Sequence, residues 1–140
     1  MNNRFRPPES RRSDTIRSPV TEPRPSANQS IAVLSFSMFD AGIECPSLWR
    51  GQENKKLFAT FAKITKRTWQ QIIETSGTAY ADKVGLGYTE FKTNDPIPRP
   101  VGLSPDIPIS EMRVDDHARI FGARKESTYF VICLRRKHAK

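Results

Sequence analysis

The sequence predicts an α+β domain: an N-terminal strand, one or two helices, and a small antiparallel sheet ending in a C-terminal β-hairpin. Three stretches predict it. Residues 30–39 (SIAVLSFSMF) alternate apolar and polar side chains with a period of two. Residues 54–76 (NKKLFATFAKITKRTWQQIIETS) repeat apolar side chains at intervals of three and four. Residues 111–140 (EMRVDDHARIFGARKESTYFVICLRRKHAK) join an extended basic segment to an apolar β-type run through the polar break Lys125-Glu126-Ser127.

With 140 residues the chain has the length of one domain, and its net charge of +8 is unevenly placed. Residues 1–29 carry six Arg against three acids, residues 30–112 nine basic against nine acidic side chains, and residues 113–140 eight basic against three acidic. A neutral middle with basic ends favours a polyanion, most often nucleic acid, held through counterion release. Residues 1–29 hold five of the eleven prolines and few apolar side chains, so they are expected to form a disordered basic tail ahead of a folded domain over 30–140. No apolar run reaches the roughly 18 residues a membrane span requires, and the N-terminus has no apolar signal core, so no membrane partner and a cytoplasmic location are expected.

Within the domain, Asp40-Ala41-Gly42 ends the first strand, and Trp49 in the following loop reads as a core anchor. Leu57, Phe61, Ile64, Thr68 and Ile72 form the helical stripe, widened by Phe58, Ala62, Trp69 and Ile73. Asn54 is placed to cap the start, Gly77 suits the left-handed position after the end, and Thr65 suits the cap of a second helix beyond a kink. Lys55, Lys56, Lys63, Lys66 and Arg67 read as a solvated face. A short strand is expected within 85–91, and the five prolines of 94–108 exclude helix and central strand there. A strand begins at 109–114. In the hairpin His117, Arg119 and Phe121 share one face. In the last strand Tyr129, Val131, Cys133 and Arg135 alternate with Phe130, Ile132, Leu134 and Arg136. The helix is expected to cover one face of this sheet and leave the other free.

The two cysteines, Cys45 and Cys133, form no disulfide framework and no metal-ligand spacing with the two histidines; Cys133 reads as a core residue. No metal or cofactor is called for. The hairpin instead gathers Arg119, Arg124, Arg135, Arg136 and Lys137 with His117, His138 and Tyr129. Arginine binds phosphate bidentately, an aromatic ring stacks a base, and histidine exchanges protons near neutral pH.

The segment VDDHARIFGARKESTYFVICLRRKHA resembles the C-terminal hairpin of bacterial toxins of the RelE/ParE superfamily, YoeB-like members above all. Those chains end with acid-acid-His, a basic–apolar strand, a turn, an apolar strand containing Cys, and a terminal His or Tyr. The resemblance implies an endoribonuclease that cleaves messenger RNA, free or on the ribosome, without a metal and held in check by a small acidic antitoxin. It implies Arg119 as the phosphate-stabilising arginine, His138 as general acid, Arg135 or Arg136 as a second cation, and Glu111 as the carboxylate available as base. His117, Arg124, Tyr129, Arg135, Arg136 and Lys137 would hold the RNA. The turn before the last strand, the missing terminal Tyr, the Pro-rich connector and the N-terminal segment depart from the family's pattern. ParE-like members bind gyrase rather than cutting RNA, so two alternatives stay open. One is a non-catalytic toxin or adaptor acting on a replication or translation protein. Gln52 to Phe58 is similar to the Gln…Leu-Phe peptides that dock on sliding clamps, although the helical pattern makes Leu57 and Phe58 core. The other is a basic nucleic-acid-binding module.

Overall fold

The computed structural model describes residues 26–76 and 85–137. Residues 1–25 of the tail expected over 1–29, the Gly77 cap and His138 lie outside the described residues. Strand β1 (Val33–Ser35) leads to helices α1 (Gly51–Thr65) and α2 (Trp69–Glu74), then β2 (Thr89–Phe91), β3 (Ile109–Arg113), β4 (Arg119–Lys125) and β5 (Thr128–Arg135). The strands form one sheet in the order β1-β5-β4-β3-β2. This is the expected α+β fold with its closing hairpin, but the sheet is mixed, because β1 lies parallel to β5. A hairpin forces antiparallel pairing. The chain reaches β5 from β1 through both helices and three strands, and that route imposes no such direction.

The first strand is shorter than its alternation suggests. The Ser37 backbone N–H donates to Ser35 Oγ, and the Phe39 N–H to the Phe36 carbonyl, so the chain turns where the pattern continues. Helix α1 starts three residues before Asn54. Arg50 occupies the N-cap and its N–H donates to Glu53 Oε1 at 2.7 Å, while Asn54 reaches back to the Trp49 carbonyl. The kink is present, but the second cap is Thr68. Its hydroxyl accepts from the Gln71 N–H, and Gln71 Oε1 accepts from the Thr68 N–H. Thr65 instead bonds back to the carbonyls of Phe61 and Ala62. The buried stripe is narrower than expected: Leu57, Ile64, Trp69 and Ile72 are buried, whereas Phe58 is 65% exposed and Ile73 42%. Phe58 packs edge-on to Phe61, and Phe61 to Phe36, at the surface.

Both faces of the sheet are covered, contrary to the expected free face. The helices bury Met112, Ile120, Tyr129, Val131 and Leu134 on one side. On the other, Ile97 and Leu103 of the connector, with Met38, Ile43 and Ile107, cover Ile109, Phe121, Ala123, Ile132 and Cys133. Proline deprives this connector of ladder bonds, and one arginine replaces them. Arg99 grips Asp95 through two nitrogens, each at 3.0 Å, and donates to the carbonyls of Ser104 and Ile107. Residues 26–29, placed in the tail by composition, belong to the fold: Ala27–Gln29 form a 3-10 turn and Asn28 accepts from Arg124.

The alternation along β5 breaks at a bulge. Phe121 pairs with Cys133 but Gly122 with Val131, leaving Ile132 as the extra residue. Tyr129 and Val131 therefore join Leu134 on the helix side, and Ile132 and Cys133 both pack on the other. Tyr129 is fully buried; its hydroxyl donates to the Ser110 carbonyl at 3.2 Å and lies 3.4 Å from Ser110 Oγ. Tyr129→Phe keeps the ring and removes the bond to the Ser110 carbonyl, while Ser110 Oγ keeps the Gly122 carbonyl. The expected cost is about 1–2 kcal/mol in urea unfolding; an unchanged midpoint would show that the hydroxyl contributes nothing.

Candidate functional site

The sheet register brings three arginines into one row. Arg113 of β3 is the partner of Arg119 of β4, and Arg119 is the partner of Arg135 of β5. Directly opposed residues share a face, and this is the face of Glu111, Phe121 and Cys133, away from the helices. Like charges placed opposite one another in adjacent strands destabilise a sheet. Arg119, nearly buried between the other two, needs an anion.

Glu111 supplies part of it. Its Oε2 lies 3.8 Å from Arg119 Nε, with the two side chains 14% and 8% exposed. Arg119 also donates to the carbonyls of Asp115 (2.7 Å) and Ala118 (3.0 Å). The second carboxylate oxygen, Glu111 Oε1, is buried and has no hydrogen-bond partner among the described residues. Orphaned buried acceptors of this kind are uncommon and call for an explanation. Arg135 is half-buried and makes no side-chain hydrogen bond or ion pair among the described residues.

The loop before β4 frames the row. Asp115 Oδ1 accepts from the backbone N–H groups of His117 (2.8 Å) and Ala118 (2.7 Å), and Oδ2 lies 3.5 Å from Lys56 Nζ. Burial pushes this carboxyl up, but the two N–H groups and Lys56 outweigh it and hold it below the usual range. His117 is exposed in this loop rather than on the strand, so it does not share the strand face expected for it.

The structure therefore separates the residues expected on one concave face. Glu111, Arg119 and Arg135 come together. Tyr129 is in the core under the helices and has no free ring face for a base. Arg124 lies on the helix side as well, 4.3 Å above the Trp69 ring, donating to the Glu126 carbonyl at 2.6 Å. Arg136 turns toward α1: its N–H donates to Glu44 Oε2, and its guanidinium to the Leu48 carbonyl, 3.9 Å from Glu53. Lys137 is exposed beyond the strand. Cys133 is buried, its thiol pushed up to about 11 chiefly by burial, as suits a core residue. Arg113 was not among the expected site residues. Its signal is the polar turn at Asp115-Asp116, with Arg113 and Arg119 each three residues from Asp116.

Comparison with protein-family models, curated proteins and solved structures finds no match to this chain. Among the described residues no helix is long and apolar enough to cross a membrane.

Proposed function

We propose that this chain is a toxin-type endoribonuclease of the RelE/ParE kind, acting on messenger RNA through the arginine row at the open end of the β4–β5 hairpin. The observation that carries the reading is Glu111 Oε1, a buried carboxylate oxygen without a hydrogen bond among the described residues, beside Arg119 and its two flanking arginines. A carboxylate next to concentrated cations is what attack by a 2′-hydroxyl on its own phosphodiester needs, and Oε1, buried in this structure, meets that hydroxyl once RNA binding opens the row. Glu111 takes the 2′-hydroxyl proton and O2′ bonds to phosphorus. Arg119 and Arg135 carry the charge of the phosphorane. The P–O5′ bond then breaks, and the leaving oxygen takes a proton from an acid, the role the family resemblance gives His138. The products are a 2′,3′-cyclic phosphate and a 5′-hydroxyl end. A protein made of such an activity requires an inhibitor, and the chain's +8 charge fits an acidic one.

The test is incubation of the purified chain with single-stranded RNA and analysis of the cut ends. Cyclic phosphate ends are expected. Intact RNA, together with unimpaired growth of cells expressing the chain, would end the proposal. The second reading is a nucleic-acid-binding module without cleavage. What favours it is that Arg119 already spends donors on the Asp115 and Ala118 carbonyls, as a loop-bracing residue does; RNA bound but uncut is its signature.

A further inference from the structure

Five cations of the described residues sit beside carboxylates. Lys56 pairs with Asp115, Lys92 with Glu90, Arg99 with Asp95, Arg119 with Glu111 and Arg136 with Glu53. The junction of α1 and α2 is different. Lys63, Lys66 and Arg67 follow one another there, and none has a carboxylate within ion-pair distance among the described residues. Lys66 and Arg67, with Gln71 and Thr75, line an open cleft of about 470 Å³, and no acid lines it. One guanidinium nitrogen of Arg67 donates to the Lys63 carbonyl. That bond satisfies an orphan carbonyl near the end of α1 and leaves most of the five N–H donors of the group unspent.

The position of these cations has an ordinary contribution to the fold, since positive side chains suit the carbonyl end of a helix. One cation provides it. Three in five residues add repulsion between neighbours at spacings of three and four. Burial and the nearby Arg67 both pull the Lys63 ammonium below its usual range, which reports the same crowding. An anion in the cleft removes the repulsion.

The site is separate from the arginine row. The row lies on the sheet face away from the helices, at the end of the sheet where Lys56 of α1 meets Asp115 and Glu53 meets Arg136. The cleft lies past the last turn of that helix. At 1.5 Å per residue, Lys56 and Lys66 stand about 15 Å apart along its axis. An RNA strand that reaches the row from the cleft also rounds the end of the sheet, a path longer than this axial separation.

We propose that the α1–α2 junction, through Lys63, Lys66 and Arg67, is a second phosphodiester-binding site that holds the backbone of an RNA strand whose scissile phosphate lies at the arginine row. The RNA identity of the polyanion rests on the function proposed above; the site itself rests on the unpaired cations and the cleft. It binds backbone, carries no base readout and takes no part in bond breaking.

The experiment measures binding of a fluorescein-labelled single-stranded RNA 20-mer to the full chain by anisotropy over a range of NaCl concentrations, with RNA cleavage followed in parallel. Lys63→Gln with Lys66→Gln is compared with a charge-matched control, Lys55→Gln with Lys92→Gln. Both pairs lie at the surface and leave Arg67 in place, and circular dichroism checks the fold. The Lys63/Lys66 variant is expected to bind roughly tenfold more weakly at low salt, with a salt slope shallower by about 1.4, the value for two lost phosphate contacts on a single strand. The control changes neither by more than its net charge. Equal effects of the two variants overturn this site while leaving the proposed cleavage standing. A selective loss of binding by Lys63/Lys66 with wild-type RNA left uncut upholds this site and overturns the cleavage. Absence of wild-type binding overturns both.

Discussion

Gly122→Ala is expected to prevent folding of the domain or to destabilise it by upward of about 3 kcal/mol, because the added methyl has nowhere to go. A Cβ built on Gly122 lies 2.3 Å from the Phe130 carbonyl oxygen and 2.7 Å from two carbons of the Tyr129 ring. The first is backbone of the paired strand, at the bulge between Phe121 and Gly122, and the second is a fully buried ring held by Ser110. Neither can yield without opening the hairpin that carries the arginine row. A folded domain has only about 5–15 kcal/mol to lose. Gly51→Ala is the control. Nothing lies within 4 Å of its Cβ, at the first residue of α1, so the substitution is expected to be neutral or to stabilise by about 0.5–1 kcal/mol. Urea unfolding of the two variants checks the pair; a Gly122→Ala protein as stable as the parent would refute the packing described around Tyr129.

Glu111→Gln is expected to lower RNA cleavage by about 10²–10⁴-fold, the contribution of a positioned general base, while RNA binding persists. The amide keeps the shape and some hydrogen-bonding capacity beside Arg119, so its effect on the fold is smaller than that of alanine. Arg135→Ala is the sharper partner. Arg135 has no side-chain bond to lose among the described residues, and its removal relieves repulsion in the row. Cleavage is expected to fall about 10²-fold or more with the melting temperature unchanged or raised. Arg119→Ala discriminates less well. It strips a nearly buried guanidinium from two carbonyls and from Glu111, and loses stability as well as any activity. Cleavage by both the Glu111→Gln and the Arg135→Ala proteins at the parent's rate would remove the arginine row from the mechanism.

Local pattern made much of the fold readable. Two helices, the kink between them, the short strand within 85–91, the connector of prolines and the closing hairpin all follow from side-chain spacing and from residues with restricted backbones. Caps were less legible. Thr65, Thr68 and Asn54 are all suitable N-cap residues, and only the path of the chain decides which of them has helix ahead of it. Phe58 illustrates a similar limit. Its spacing suits the apolar stripe, but α1 rests on the sheet along Leu57, Thr60 and Ile64, and that leaves Phe58 at the margin.

The candidate site was half legible. Composition marks residues 113–140 as the basic folded segment, and Glu111, Arg119 and Arg135 follow from the hairpin together with the family resemblance. Which side chains share a face depends on register. One extra residue, Ile132, reverses the alternation of β5, putting Arg135 beside Arg119 but Tyr129 on the helix side, where plain alternation along β4 also puts Arg124. The row through Arg113 and the pairing of β1 with β5 are contacts between segments far apart in sequence, as is the covering of the second face by the connector. The sequence by itself determined where strands, helices and charge lie, because those follow from neighbours a few residues apart. Only the tertiary structure decided which charges meet and which acceptor is left without a donor, because those depend on register and burial, which local periodicity does not encode.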